Sequence, residues 1–240
     1  MNKLISRTLL RTFQLSAAIA LLLILPLAAS AQDRNLRVGV FGGGSFLKGE
    51  RSFNVGGTPL ITNYAKGGLL GVRVTTDLDS HWSLEGAYSR GTNNLRIYDM
   101  SALPSDMAGF GTRVNRLTGN VLYYAGEKDA KIRPFVTAGI GIVRFSPTTA
   151  AKALATLGFV DAPATISANT KLAFNFGGGA EAKMNDWIGF RADLKDHISG
   201  IPRYGDPQAP TAGIADYYPV SGAVHNWEMS VGVVFYLPKF

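Results

Sequence analysis

Asp193, Asp196, His197 and Ser199 fall within seven consecutive positions. A serine, a histidine and a carboxylate are the parts of a hydrolytic triad, which works only when hydrogen bonds join the three in series. In an extended segment neighbouring side chains take opposite faces, and this alternation works against such a set converging. The other histidines, His81 and His225, lie at a turn and a loop exit, and no pair has the i, i+4 spacing of a helical metal site. Cysteine is absent, so neither thiolate ligands nor disulfides are available. Gly42-Gly43-Gly44 and Gly177-Gly178-Gly179 would suit a phosphate loop only if a helix followed. They lie instead in segments that alternate like strands, where glycine admits close strand approach and leaves room for large neighbours. The expectation is no catalytic, cofactor or metal site.

The commoner chemistry is charge at every second position. Arg37, Arg73, Glu85, Arg116, Arg133, Glu181, Arg191, Asp193 and Glu228 each stand on the polar side of a segment whose other side is apolar. Eight such segments follow one another, at 36–46, 69–78, 82–91, 113–125, 131–145, 170–184, 187–198 and 224–237. In the last, Trp227, Met229, Val231, Val233, Phe235 and Leu237 alternate with Asn226, Glu228, Ser230 and Gly232. Period two defines a strand with one apolar face and one wet face. A strand of about ten residues is long enough to cross a bilayer at a tilt.

The connections decide which face meets which medium. Asp79-Ser80, Gly126-Glu127-Lys128-Asp129 and Asn185-Asp186 are short polar turns, whereas 47–68, 92–112, 146–169 and 199–223 are long. Short turns at one rim and long loops at the other are the arrangement of an outer-membrane barrel, with turns periplasmic and loops extracellular. The apolar faces then meet lipid, and the charged faces line a lumen in which buried charges must pair. The nine charged residues named above are expected to form that lumenal polar network, filling an eight-stranded interior too narrow for a water channel. Trp82, Tyr123, Trp187 and Phe235 sit near turn ends, where an interfacial aromatic girdle belongs.

The first residues read as an export signal. Lys3, Arg7 and Arg11 precede an apolar stretch at 15–27, and Ala29-Ser30-Ala31 offers cleavage between Ala31 and Gln32. The organisation expected is a signal peptide at 1–31 and a barrel domain at 32–240. The chain carries +7 in all, and the signal accounts for three of those charges. The remaining +4 is too small a bias for a nucleic-acid footprint. The fold expected is all-β, an eight-stranded antiparallel up-and-down transmembrane β-barrel.

Three segments carry a family resemblance: Arg133-Pro134-Phe135-Val136-Thr137-Ala138-Gly139-Ile140-Gly141, Phe176-Gly177-Gly178-Gly179-Ala180-Glu181 ahead of Trp187-Ile188-Gly189-Phe190-Arg191, and Val231-Gly232-Val233-Val234-Phe235-Tyr236-Leu237. In order and spacing the chain resembles the small outer-membrane barrel superfamily of OmpA-type transmembrane domains, opacity-type proteins and their porin-family relatives. The resemblance implies a non-enzymatic, monomeric protein of the outer membrane without a cofactor. It also implies contact with lipid and lipopolysaccharide, and insertion by the barrel-assembly machinery through a terminal signal of Phe235, Tyr236 and Phe240. Phe240 departs from the family's phase: it is out of step with Phe235 and Leu237, and Pro238 interrupts the ladder, so a bulge or short tail is expected there. No periplasmic peptidoglycan-binding domain is expected after the barrel.

An envelope-structural or adhesion-like role through the loops is the first functional expectation. The loop at 146–169 is Ala-rich, with a turn or two of helix expected at 150–157, and 199–223 carries Tyr204, Tyr217 and Tyr218 for a surface ligand. Passive uptake of a small hydrophobic solute through the barrel wall is the alternative. A lipid A-modifying barrel enzyme built on His197, Ser199, Asp193 and Asp196 is a third.

Overall fold

The computed structural model describes residues 36–48, 51–55, 58–99, 106–149, 151–152, 167–204 and 222–237. Ten strands occur among them: β1 Leu36–Lys48, β2 Arg51–Val55, β3 Thr58–Tyr64, β4 Gly67–Asp77, β5 Trp82–Asp99, β6 Asp106–Tyr124, β7 Ile132–Pro147, β8 Asn169–Lys183, β9 Ile188–Gly200 and β10 Ala223–Tyr236. Eight of them, β1 and β4 to β10, close into an antiparallel ring in chain order. The seam is the pairing of β1 with β10, which runs unbroken from Arg37 opposite Tyr236 to Lys48 opposite His225. Closure satisfies every strand edge, which a bilayer demands because hydrocarbon offers no hydrogen bonds.

The side chains are distributed inside out relative to a soluble protein. Leu70, Ile132, Ile140, Leu172, Phe174 and Met229 are exposed on the outer wall, while the lumenal Arg37 and Arg116 are 2% and 1% exposed. The girdle residues Trp82, Tyr123, Trp187 and Phe235 are all exposed near the turn rim. Trp82 and Tyr123 are cross-strand partners with ring centroids 5.0 Å apart. Two turns use one device: the Asp79 carboxylate accepts from the amides of His81 and Trp82 at 2.7 and 2.8 Å, and Asn185 Oδ1 accepts from those of Trp187 and Ile188 at 2.9 and 2.8 Å. Such side-chain caps fix short reversals without help from the core.

The expected barrel strands agree with these to within a few residues, except that β5 and β6 run well past 91 and start well before 113. Two stretches read as loops from the sequence are largely strand. Residues 47–68 contain the β2–β3 hairpin. β5 continues to Asp99 and pairs with β6 as far as Tyr98 opposite Asp106. Where β4 ends, β3 takes its place beside β5, from Tyr64 opposite Leu95 to Leu60 opposite Asp99. The reason is physical. Above the bilayer a strand needs no apolar face, so Thr92, Asn93 and Asn94 keep a ladder that hydropathy alternation cannot register. The second hairpin satisfies the amides that β4 leaves unpaired. Of the helix expected at 150–157, one turn lies among the described residues, with the Lys152 amide donating to the Thr148 carbonyl at 3.1 Å. The signal segment with Ala31 and Gln32, the bulge or tail at Phe240, Tyr217 and Tyr218 lie outside the described residues.

Candidate functional site: the barrel lumen

Side chains cross the lumen in four layers. At the turn rim Arg37 is the hub. Its Nη1 donates to Glu181 Oε1 at 2.6 Å and to Tyr124 Oη at 3.2 Å, and its Nη2 reaches the Asp77 carboxylate and Ser83 Oγ, the latter at 3.2 Å. Tyr124 and Tyr236 donate to Glu181 at 3.1 and 3.0 Å. One guanidinium thus ties β1 to β4, β5, β6 and β8, and Glu181 extends the tie to β10. Arg133 joins the polar lining through backbone carbonyls and an aromatic ring, not through a carboxylate. Its guanidinium stacks 4.0 Å from the Tyr124 ring centre and donates to the carbonyls of Ser80 and Gly126 at 2.9 and 3.5 Å. As the second residue of β7, it finds the open carbonyls of Ser80 and Gly126 closer than any carboxylate of the network.

The middle layer centres on Glu85. Arg191 Nη1 and Lys195 Nζ donate to it at 2.7 and 3.0 Å, and Asn120 and Thr75 add hydrogen bonds at 3.1 and 3.2 Å. Asp193 accepts from Arg73 Nη1 at 2.7 Å, with Arg191 Nε and Lys195 Nζ at 3.4 and 3.5 Å. Arg73 lies 4.0 Å from the centre of the Phe41 ring and Arg191 4.2 Å from that of Phe135, so the cations are also packed on aromatic faces. Glycine makes the room. A Cβ on Gly39, which pairs with Arg73 in the ladder, would stand 2.8 Å from that arginine's Cγ.

Above this, Arg116 donates to Ser45 at 2.8 Å and stands 3.7 Å from Glu228, which also accepts from Ser89 at 3.2 Å. Here the polar groups are less fully paired: both ring nitrogens of His197 and both amide atoms of Asn175 are buried without a hydrogen-bond partner, His197 Nε2 standing 3.7 Å from Glu228. Unpaired buried groups of this kind are where proteins keep internal water. The outermost layer is apolar, formed by Leu47, Tyr64, Val114, Val143, Phe145, Ala173, Ile201, Tyr204 and Val224.

The structure therefore brings Arg37, Arg73, Glu85, Arg116, Glu181, Arg191, Asp193 and Glu228 together across the lumen and sets Arg133 at its floor. Sequence reasoning missed Asp77, Tyr124 and Lys195, all of which share the lumenal phase of a named residue on the same strand. Tyr236, expected as part of a terminal signal, points inward onto Glu181, whereas Phe235 faces outward.

The hydrolytic set is not assembled. His197 and Ser199, two positions apart, share the lumenal face and are both buried, and His197 makes no hydrogen bond. Alternation thus separates Asp196, not Ser199, from His197. Asp196 projects from the other face and pairs with His225 at 2.6 Å. Among the described residues no group of three His, Cys, Asp or Glu is placed to hold a metal.

A closed eight-stranded antiparallel ring with an apolar outer wall and a charged interior is an outer-membrane β-barrel. The chain belongs to the Outer membrane protein beta-barrel domain family, whose profile matches residues 17–235, and membership implies the cell outer membrane. Among solved structures it is similar to the outer membrane protein OprG from Pseudomonas aeruginosa, at 14% identity over 84% of this chain and 95% of that one, with a TM-score of 0.52. Two others are the N-terminal β-barrel domain of Pseudomonas aeruginosa OprF, at 14% identity over 86% and 98% with a TM-score of 0.47, and Ail, the attachment invasion locus protein of Yersinia pestis, at 8% identity over 85% and 100% with a TM-score of 0.45. No curated protein matches the chain by sequence.

Proposed function

We propose that this barrel is a non-enzymatic, closed envelope protein that works through its surface, as a structural element and as a binder of partners at its outer loops. The observation that carries the reading is the stack of cross-lumen ion pairs under an apolar cap. Arg37–Glu181, Arg191–Glu85 and Arg73–Asp193, all within 2.7 Å, occupy the path an ion or solute would take. Uptake of a hydrophobic solute needs an apolar tunnel ending at a gap between strands. The described ladders pair each neighbouring strand around the ring, and the space they enclose is charged. The loops, by contrast, follow strands that rise above the rim, and connecting segments are where binding residues concentrate.

The test is conductance and solute flux of the refolded full chain in planar bilayers and liposomes. The expected result is no stable conductance step above the lipid baseline. Large, long-lived steps, or flux of a hydrophobic solute at a rate set by protein density, refute the reading.

A further inference from the structure

The outer wall carries a second cluster of charge that the lumen does not use. We propose that the face formed by β10, β1, β4 and β5 at the outer rim is a binding site for a phosphorylated glycolipid of the outer leaflet. The site lies on the lipid side of the wall and does not depend on what the loops bind.

Three cations, Lys48, Lys66 and Arg90, and the imidazole of His225 lie along this face. Lys48 and His225 are cross-strand partners on β1 and β10. Lys66, immediately before β4, holds its Nζ 5.7 Å from the centre of the Phe46 ring, and Arg90 lies on the outward side of β5 opposite Leu70. Lys48, Lys66 and Arg90 are exposed, and the His225 side chain is 48% exposed. The carboxylate facing this stretch from β9, that of Asp196, is 2% exposed and bonded to His225 Nδ1 at 2.6 Å. It therefore positions the imidazole, leaving Nε2 as the nitrogen to meet a ligand, and its oxygens are turned away from the outer surface.

Between the cations the wall is bare. Gly43, Gly68, Leu70, Arg90, Gly91 and Thr92 line an outward groove of about 480 Å³, and a Cβ added at Gly68 would meet nothing within 4 Å. Phe46 and Trp227, paired across β1 and β10, continue it as an aromatic shelf. Height places the groove at the right level. β4 runs 11 residues from Gly67 to Asp77, and a strand tilted by about 40° climbs roughly 2.5 Å per residue. Lys66 then stands about 27 Å above the turn rim, just past an apolar band of about 25 Å. Lys48 and His225 are at a similar height, while Arg90 and Leu70 lie about a headgroup lower. Phosphates would meet the upper cations, and an acyl chain or sugar face would lie along the glycine floor.

The test uses the full chain folded in neutral-detergent micelles, with Trp82 and Trp187 replaced by Phe so that Trp227 reports alone. Lipid A bearing both phosphates should change its emission saturably. The triple variant K48Q/K66Q/R90Q should bind at least tenfold more weakly, and fully dephosphorylated lipid A should bind the parent at least tenfold more weakly. The pair R113Q/R144Q, at the same rim on β6 and β7, should leave binding unchanged, and a boiling-dependent gel shift checks folding of every variant. If the triple variant does not fold, K48Q/K66Q is read in its place, with at least a threefold loss expected. Equal binding of phosphorylated and dephosphorylated lipid A, or an equal loss in R113Q/R144Q, overturns the site. Equal affinity for phosphatidylglycerol overturns the assignment of a glycolipid.

Discussion

Replacing Glu85 by Gln tests whether the lumenal charges stabilise the barrel or merely coexist in it. Glu85 is 2% exposed and receives Arg191, Lys195, Asn120 and Thr75. The layer contains three cations, Arg73, Arg191 and Lys195, against the two carboxylates of Glu85 and Asp193. Glutamine keeps the volume but leaves three cations against one carboxylate, with the Arg191 guanidinium and the Lys195 ammonium facing an amide. Removing one member of a buried pair costs about 3–5 kcal/mol, because the partner stays buried and uncompensated. The companion variant E85Q/K195M returns the layer to its native surplus of one cation and should recover about 2 kcal/mol or more. Both are measured as urea-dependent folding equilibria in phosphatidylcholine vesicles, read by tryptophan emission and by the boiling-dependent gel shift. A loss below about 1 kcal/mol in E85Q, or a double variant no more stable than the single, refutes the argument that pairing across the lumen holds the ring.

The Asp79 carboxyl lies in an exposed turn and is held below the ordinary carboxylate value by the amides of Trp82 and His81. Its contribution to the turn is therefore present above the unfolded value and lost only as pH falls through the lower folded value; an NMR titration of Asp79 that matches a free aspartate contradicts this. Deleting residues 236–240 removes the Tyr236–Glu181 hydrogen bond and the end of the closing seam and should abolish insertion. Removing residues 153–166 should leave insertion and the gel shift intact and alter only surface binding. The reverse outcome on cell fractionation contradicts the proposed topology.

The transmembrane strands were legible because a bilayer imposes strict alternation. Leu172, Phe174 and Phe176 against Lys171, Asn175 and Gly177 can be read only as a two-faced strand. Above the membrane the constraint disappears, which is why the β2–β3 hairpin and the upper half of β5 looked like loop. Membership of the lumen was also legible, since the phase of Arg37 or Glu85 fixes its side. Pairing was not, because it depends on the tilt and stagger that bring Arg37 of β1 to Glu181 of β8. The same limit hid the Asp196–His225 contact. Each residue reads as an isolated polar group on its own strand, and only the ladder that sets Trp227 opposite Asp196 reveals that they meet.

The energetics of the lumen also bear on where this protein can act. A conducting state would need Glu181, Glu85 and Glu228 to swing off their partners together, since each closes a different layer. At about 3 kcal/mol for each broken buried pair, the three sum to about 9 kcal/mol. On the proposed closed reading, and with about 1.4 kcal/mol for each factor of ten, such a state would hold a population on the order of one in a million. A ligand would have to bind the open form more tightly by a comparable factor to shift that balance, and the apolar layer of Val114, Phe145 and Val224 stands between the outside and any lumenal group that might do so. The outer wall and the loops face no such barrier. Lys48, Lys66, Arg90 and His225 are already exposed, so a ligand there gains its contacts without opening anything, and this is the physical ground for placing the recognition chemistry of the molecule on its outside.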